Sequence, residues 1–248
     1  MEQTQSYDRI DFKHIINGIL KVLNFEKGLL LTVKEMVIYP EKVIRTYLGG
    51  ENRKVYTNPI QYVVILVGAY FFLFSLLPES LMDIDAFQES AYKGGYNLTD
   101  PANRPIDEEK MKEAVQMGQE VSAFIFQYLN LITFFFIPIT AILTYLVYRK
   151  TRLYYPEHLV LNAYVTGTYT LLGILSIPLY VIDVSLAFLS SLGLFAYQFW
   201  AYMSIFKEKT FKGFFKAGLV TILPFFLIMF AAAIIGFVFA YTKFKNGG

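Results

Sequence analysis

The chain has 248 residues, of which 55% are hydrophobic, 18% aromatic and only 17% charged, with a formal net charge of +2 and no cysteine. A mean hydropathy of +0.44 argues against a soluble globular domain. The missing cysteines exclude disulfides, thiolate catalysis, iron–sulfur clusters and cysteine-bound zinc.

The first residues, MEQTQSYDRIDFK, lack a basic region, an apolar core and a small-residue cleavage site, so no cleavable signal peptide is expected. Residues 1–57 read as a region of amphipathic helices, because charges recur every few residues. Phe12, Ile15, Ile16, Ile19 and Leu23 fall on one helical face, while Lys13, Asn17, Lys21 and Asn24 fall elsewhere. Gly18 weakens this first helix by ~1 kcal/mol relative to alanine. A second helix is predicted over Leu29–Val37. A third starts at Pro40, a favoured first helical position, carries Glu41 in its first turn and stops at Gly49. Such helices either lie in a membrane interface, apolar face down, or pack on the ends of spans.

The next stretch, YLGGENRKVYTNP, ends one element and opens another. Gly49 and Gly50 allow a left-handed cap. Arg53 and Lys54 stand at headgroup height, where each cation gains ~1 kcal/mol from anionic lipid. Tyr56 is an interfacial ring, and Pro59 suits the first turn of a span. Each piece has a structural reading as stop, anchor and start. Arg53, Lys54 and Tyr56 also make a candidate site for a partner or lipid.

Five segments read as membrane spans: 58–77, 123–148, 159–182, 184–206 and 216–242. Each offers about 20 apolar residues, enough to cross ~30 Å of hydrocarbon at ~1.5 Å per residue. None has a Lys, Arg, Asp or Glu in its apolar centre, and Asp183 alone separates the third from the fourth. The fold class predicted is all-α: a polytopic transmembrane bundle of about five spans, over 58–242, with amphipathic N-terminal helices. A short tail occupies 243–248.

Flanking charge sets the threading. Residues 1–57 hold nine Lys/Arg, whereas the loop 78–122 holds four against ten Asp/Glu. The links 149–158 and 207–216 are basic, with Arg149, Lys150 and Arg152 in one and Lys207, Lys209, Lys212 and Lys216 in the other. Lysine and arginine stay on the cytoplasmic side. The N-terminus and both basic links are therefore expected inside, and the acidic loop outside. Asp107 is expected to open a helix that runs into the second span, its acidic first turn suiting the positive helix end.

Three stretches carry a family resemblance. YPEKVIRTYLGGENRKVYTNPIQYVVILVGAYFF, YYPEHLVLNAYVTGTYTLL and AYQFWAYMSIFKEKTFKGFFKAG resemble an uncharacterised family of polytopic bacterial inner-membrane proteins, over roughly residues 28–240. The resemblance implies a multi-pass protein of the inner (plasma) membrane and no particular activity. Many members of that family begin with a cysteine-rich zinc ribbon, and this chain, without cysteine, has none.

Glu157-His158 is the most reactive-looking pair, since a histidine beside a glutamate can shuttle protons near neutrality. Pro156-Glu157 equally resembles a helix start with an acid in its first turn, and adjacent residues on a helix do not face one another. Metal binding needs three or four convergent ligands, and His14 and His158 are the only histidines. Neither metal nor cofactor is expected. Asn130, Asn162 and Gln198 are intramembrane amides, and Pro138, Pro178 and Pro224 can free carbonyls in their helices. Such groups mark transport sites in broken helices, but they also tie helices together by ordinary hydrogen bonds.

The function these features favour is non-enzymatic: a membrane scaffold or accessory subunit holding a protein partner, a second copy of itself or lipid. The rivals are a small-molecule or lipid transporter, in which Asn130, Asn162 and Gln198 would converge on a cavity, and an intramembrane enzyme using Glu157 and His158. The Lys-Phe mixture of IFKEKTFKGFFKAG suits anionic lipid rather than nucleic acid.

Overall fold

A computed structural model describes residues 28–50, 53–77, 133–182, 184–208 and 210–246, with Glu109, Lys112, Val115 and Gln116 as isolated positions. The predicted helix over Phe12–Leu23, most of the acidic loop, Asn130, Asp183 and Lys209 lie outside the described residues. The fold is all-helical. Its helices are α1 (Gly28–Ile38), α2 (Pro40–Gly49), α3 (Pro59–Phe74), α4 (Thr133–Val147), α5 (Tyr155–Ile182), α6 (Val184–Phe206) and α7 (Phe211–Asn246). The four isolated positions are helical too, in keeping with a helix opening at Asp107.

Local chemistry places the boundaries. Pro40 occupies the first turn of α2, where its missing N–H costs nothing, and Gly50 ends that helix at φ +87°. Arg53–Val55 form one 3₁₀ turn. Asn58 then caps α3, its side chain accepting from the Ile60 N–H at 3.0 Å, with Pro59 next in line. At α5 the Glu157 carboxylate accepts from the Tyr154 N–H at 2.7 Å, the returning half of a capping box. At α7 the Thr210 hydroxyl accepts from the Gly213 N–H at 3.2 Å. That cap starts α7 five residues before the predicted span, so Lys212 and Lys216 sit inside the helix rather than in a link.

Side-chain pairs fix the topology. Tyr62 meets Thr168, and Tyr70 lies nearest to Gly173, so α3 runs parallel to α5. Thr144 meets His158, and Asn162 meets Tyr202, so α4 and α6 run antiparallel to α5. Phe195 meets Phe225 in a tilted contact and Phe199 meets Phe214 edge to face, which sets α7 antiparallel to α6. The helices α3 to α7 alternate up and down. The start of α3, the end of α4, the start of α5, the end of α6 and the start of α7 therefore share one end of the bundle.

Helix α5 is the hub: 61% of its most apolar window is buried inside the protein, against 33% for α3 and 22% for α7. Small residues let neighbours approach it. A Cβ on Gly167 would stand 2.6 and 2.7 Å from the Tyr62 ring. Helices α1 and α2 pack on α5 and α6 through Leu29, Met36, Val43 and Ile44, against Leu161, Tyr164, Tyr202 and Ile205. Of the two settings open to them, the structure takes packing on the spans. Burial of each such side chain from water is worth about 1.5–3 kcal/mol. Between two helices already in lipid that term vanishes, and close packing and hydrogen bonds must hold the pair.

Three helices are long and apolar enough to cross a membrane: Arg53–Phe74, Tyr155–Leu179 and Phe211–Ala231; Thr133–Val147 is a shorter apolar helix. Phe214, Phe215, Phe226, Met229 and Phe230 of α7 all face outward, each more than half exposed. A patch of that kind is a liability in water and natural against hydrocarbon. The chain is built as a membrane protein.

Candidate functional site

The interior of the bundle is polar where α4, α5 and α6 meet. The Thr144 hydroxyl donates within its own helix, to the carbonyls of Thr140 and Ala141 at 2.9 and 3.1 Å. Its oxygen is left to accept, from Asn162 Nδ2 at 2.9 Å and from His158 Nδ1 at 3.0 Å. This assignment puts the imidazole proton on Nδ1 and makes Nε2 a bare acceptor. Among the described residues Nε2 has no partner, and His158 is fully buried. Asn162 also donates to the His158 carbonyl at 2.7 Å and accepts from the Tyr202 hydroxyl at 2.7 Å. Gln198 lies one helical turn before the same tyrosine on α6, and among the described residues its Oε1 is buried without a partner. Sequence reasoning named His158, Asn162 and Gln198. It missed Thr144 and Tyr202, which join them, because a threonine or tyrosine in a span carries no sign of which helix it faces.

Gln198 borders a half-open cavity of about 330 Å³ lined by residues of all five long helices. Its lining mixes aromatic side chains, Tyr70, Phe136 and Phe225 among them, with polar ones such as Thr166, Thr170 and Gln198. Its volume lies within the ~300–1,000 Å³ of small-molecule sites, and such sites combine apolar walls with a few placed polar groups. Of the three amides expected to converge, Gln198 lines the cavity, Asn162 lies one tyrosine away in the network, and Asn130 is outside the described residues. Thr170 donates to its own helix at the Thr166 carbonyl, 2.9 Å away.

The stretch 47–59 is tied into the fold. Arg53 Nε donates to the Tyr47 carbonyl at 2.9 Å, and its guanidinium lies 5.8 Å from that ring's centre. Tyr56 is buried and donates to Glu35, which also pairs with Lys42 at 2.6 Å. The Thr57 N–H donates to Thr32 Oγ1 at 3.0 Å, and Tyr164 donates to the Thr57 carbonyl at 2.5 Å. Lys54 is exposed. Glu157 caps α5 while His158 faces the interior network, so the two neighbours act on different sides of the helix. Among the described residues no group of three or more His, Asp or Glu is placed to hold a metal.

Burial alone would raise the Glu35 carboxyl; hydrogen bonds from Lys42 and Tyr56, with the charges of Lys42 and Lys34, outweigh it and hold the group below its ordinary value of 4.5. A depressed folded value stabilises the fold above the unfolded value, and that contribution is lost as pH falls through the folded one. We therefore expect the melting temperature in detergent to drop as pH falls from 5 towards 3, on the order of the carboxylate range, and Glu35→Gln to flatten that slope. An unchanged slope in the variant would show that the Glu35 cluster does not contribute.

Residues 26–71, covering α1, α2, the link and most of α3, match the model of an uncharacterised family described as "Protein of unknown function (DUF3667)". Neither a curated protein nor a solved structure matches the chain. The family resemblance read from the sequence thus has support over the segment that begins at Gly28 and ends in α3.

Proposed function

We propose that this is a five-span, multi-pass protein that holds a lipid or another amphiphile between its helices and performs no chemistry of its own. The observation that carries the reading is the cavity bordered by Gln198, whose lining from five helices mixes aromatic and polar side chains. The aromatic groups suit hydrocarbon, and the polar ones offer hydrogen bonds to a headgroup or ester. Tyr56 bonds to Glu35 and Glu157 to the start of α5, while Arg53, bonded through Nε to the Tyr47 carbonyl, and Lys54 stay exposed and could meet a headgroup or a partner. Lysines and arginines of both basic links lie at one end of the bundle, and the positive-inside rule supports a cytoplasmic side for that end. The resemblance to inner-membrane proteins supports that membrane as its location.

The test is native mass spectrometry of protein released from its own membrane in mild detergent. Wild type should retain one amphiphile per chain. Thr170→Phe and Leu194→Trp, which fill the cavity, should retain none while keeping the wild-type melting temperature to within a few degrees. Equal retention in the filled variants, or none in wild type, would overturn the reading. Transport is the second reading, favoured by the polar row Gln198–Tyr202–Asn162–Thr144 that leads from the cavity towards the cationic end. Flux of the retained molecule into proteoliposomes, lost in Gln198→Leu, would select it.

A further inference from the structure

The two basic links, far apart in sequence, converge at one end of the bundle. The end of α4, the end of α6 and the start of α7 enclose a pocket of about 530 Å³ whose charged lining is Arg149, Lys150, Lys207, Lys212, Lys216 and Glu208. Five cations thus face a single carboxylate. That carboxylate is taken by Lys216, at 2.5 and 2.8 Å. Lys207 stands 3.6 Å from Glu41 of α2. Among the described residues Arg149, Lys150 and Lys212 have no acidic partner, and all three are exposed.

The convergence is built rather than incidental. Tyr148, at the end of α4, stacks on Phe206, at the end of α6, with ring centres 3.6 Å apart and planes 8° apart. Lys216 lies over the other side of this stack, 5.2 Å from the centre of the Tyr148 ring, a cation–π contact that pins α7 to α4. Gly213 is required here, because a Cβ would overlap the Glu208 carbonyl oxygen as the link folds back onto the first turn of α7. Both links also use a cation at a left-handed backbone position: Arg152 at φ 61° and Lys207 at φ 53°. Glycine takes that conformation without a steric penalty, and strained positions held by other residues gather at functional sites. Like charges at this spacing repel one another, and a multivalent anion relieves that repulsion. Beside the cations the pocket has an apolar edge from Leu146 and Val147.

We propose that this pocket binds a phosphate group, the ligand's anionic oxygens lying among Arg149, Lys150 and Lys212 at the cationic end of the bundle. The phosphate is either a lipid headgroup, whose hydrocarbon would run along Leu146 and Val147, or a free phosphate from solution. The inference does not rest on the cavity between the five helices, and failure of either leaves the other standing.

The experiment uses the full chain in dodecyl maltoside. Binding is read from the rise in melting temperature during titration with phosphatidic acid in mixed micelles, with phosphatidylcholine, whose phosphodiester is neutralised by its own choline, as the control of no net charge. A parallel arm uses inorganic phosphate. Phosphatidic acid should stabilise the protein and phosphatidylcholine should not. Lys150→Gln/Lys212→Gln should weaken that binding roughly 30-fold, about five-fold per cation removed. The exposed Lys34 of α1, which does not line the pocket, serves as the comparison, and Lys34→Gln should leave the binding unchanged. Stabilisation by the lipid alone assigns the headgroup as the source, and equal stabilisation by inorganic phosphate assigns the free anion. An equal loss in Lys34→Gln, or no stabilisation by either phosphate, overturns the proposal.

Discussion

Replacing Gly167 with alanine is expected to destabilise the bundle by about 2–3 kcal/mol, the upper part of the overpacking range. The added methyl would lie 2.6 and 2.7 Å from two atoms of the Tyr62 ring, and 3.5 Å from the Val63 Cα. Ordinary carbon–carbon contact is about 3.5–4.0 Å, so the ring must retreat by roughly 1 Å. It has nowhere to go. Tyr62 is fully buried, its hydroxyl is held 3.0 Å from Thr168 Oγ1, and its ring packs against Tyr164 at 5.6 Å. The α3–α5 interface must open instead, and in lipid that close contact is what holds two apolar helices together. Gly68, on α3, has nothing within 4 Å of its would-be Cβ. Gly68→Ala should therefore stabilise by about 0.5–1 kcal/mol through helix propensity alone. Equilibrium unfolding in mixed micelles separates the two. In a Tyr62→Leu background the Gly167→Ala loss should fall below about 1 kcal/mol. A Gly167→Ala protein as stable as Gly68→Ala would mean that the helices do not approach as described.

The second large effect is expected at Asn162. Leucine has a similar volume but makes none of the three hydrogen bonds that join Asn162 to Thr144, the His158 carbonyl and Tyr202. Hydrogen bonds between membrane helices average ~0.6 kcal/mol each, and a buried group left unpaired costs ~1–3 kcal/mol. Thr144 retains His158, which limits the damage. Asn162→Leu should therefore cost about 2 kcal/mol. Tyr202→Phe should cost less, and the double variant should lose less than the sum, because the two residues share one bond. Unfolding measured on the two single variants and the pair completes the cycle. Wild-type stability in Asn162→Leu would show that the network does not tie α4, α5 and α6 together.

The sequence carried much of the helical plan. The predicted second and third helices, at Leu29–Val37 and Pro40–Gly49, match Gly28–Ile38 and Pro40–Gly49 within a residue. Their signals are local: a proline in a first turn, a glycine at a left-handed cap. Pro59 and Pro156-Glu157 open α3 and α5 for the same reason. Where the cap was a threonine, the start was missed. Thr210 begins α7 ahead of the predicted span, and threonine in a polar link has many alternative roles. Of the five spans expected, three described helices satisfy the length and apolarity of a membrane crossing, and Thr133–Val147 is shorter. The candidate site was legible only in its members. Gln198, Asn162 and His158 stand out as rare polar side chains in apolar runs, but Thr144, Tyr202 and the aromatic lining of the cavity look like ordinary span residues.

By itself, then, the sequence determined the all-helical class, the sorting of charge and the helix ends, because each depends on hydropathy and on chemistry within a few residues along the chain. Only the tertiary structure decided that α1 and α2 pack on the spans, that Arg53, Tyr56 and Glu157 are turned to internal partners, and that two basic links meet in one pocket. Those outcomes depend on which faces of separate helices meet, and in a bundle whose helices are apolar on every side the pattern of the sequence does not distinguish one face from another.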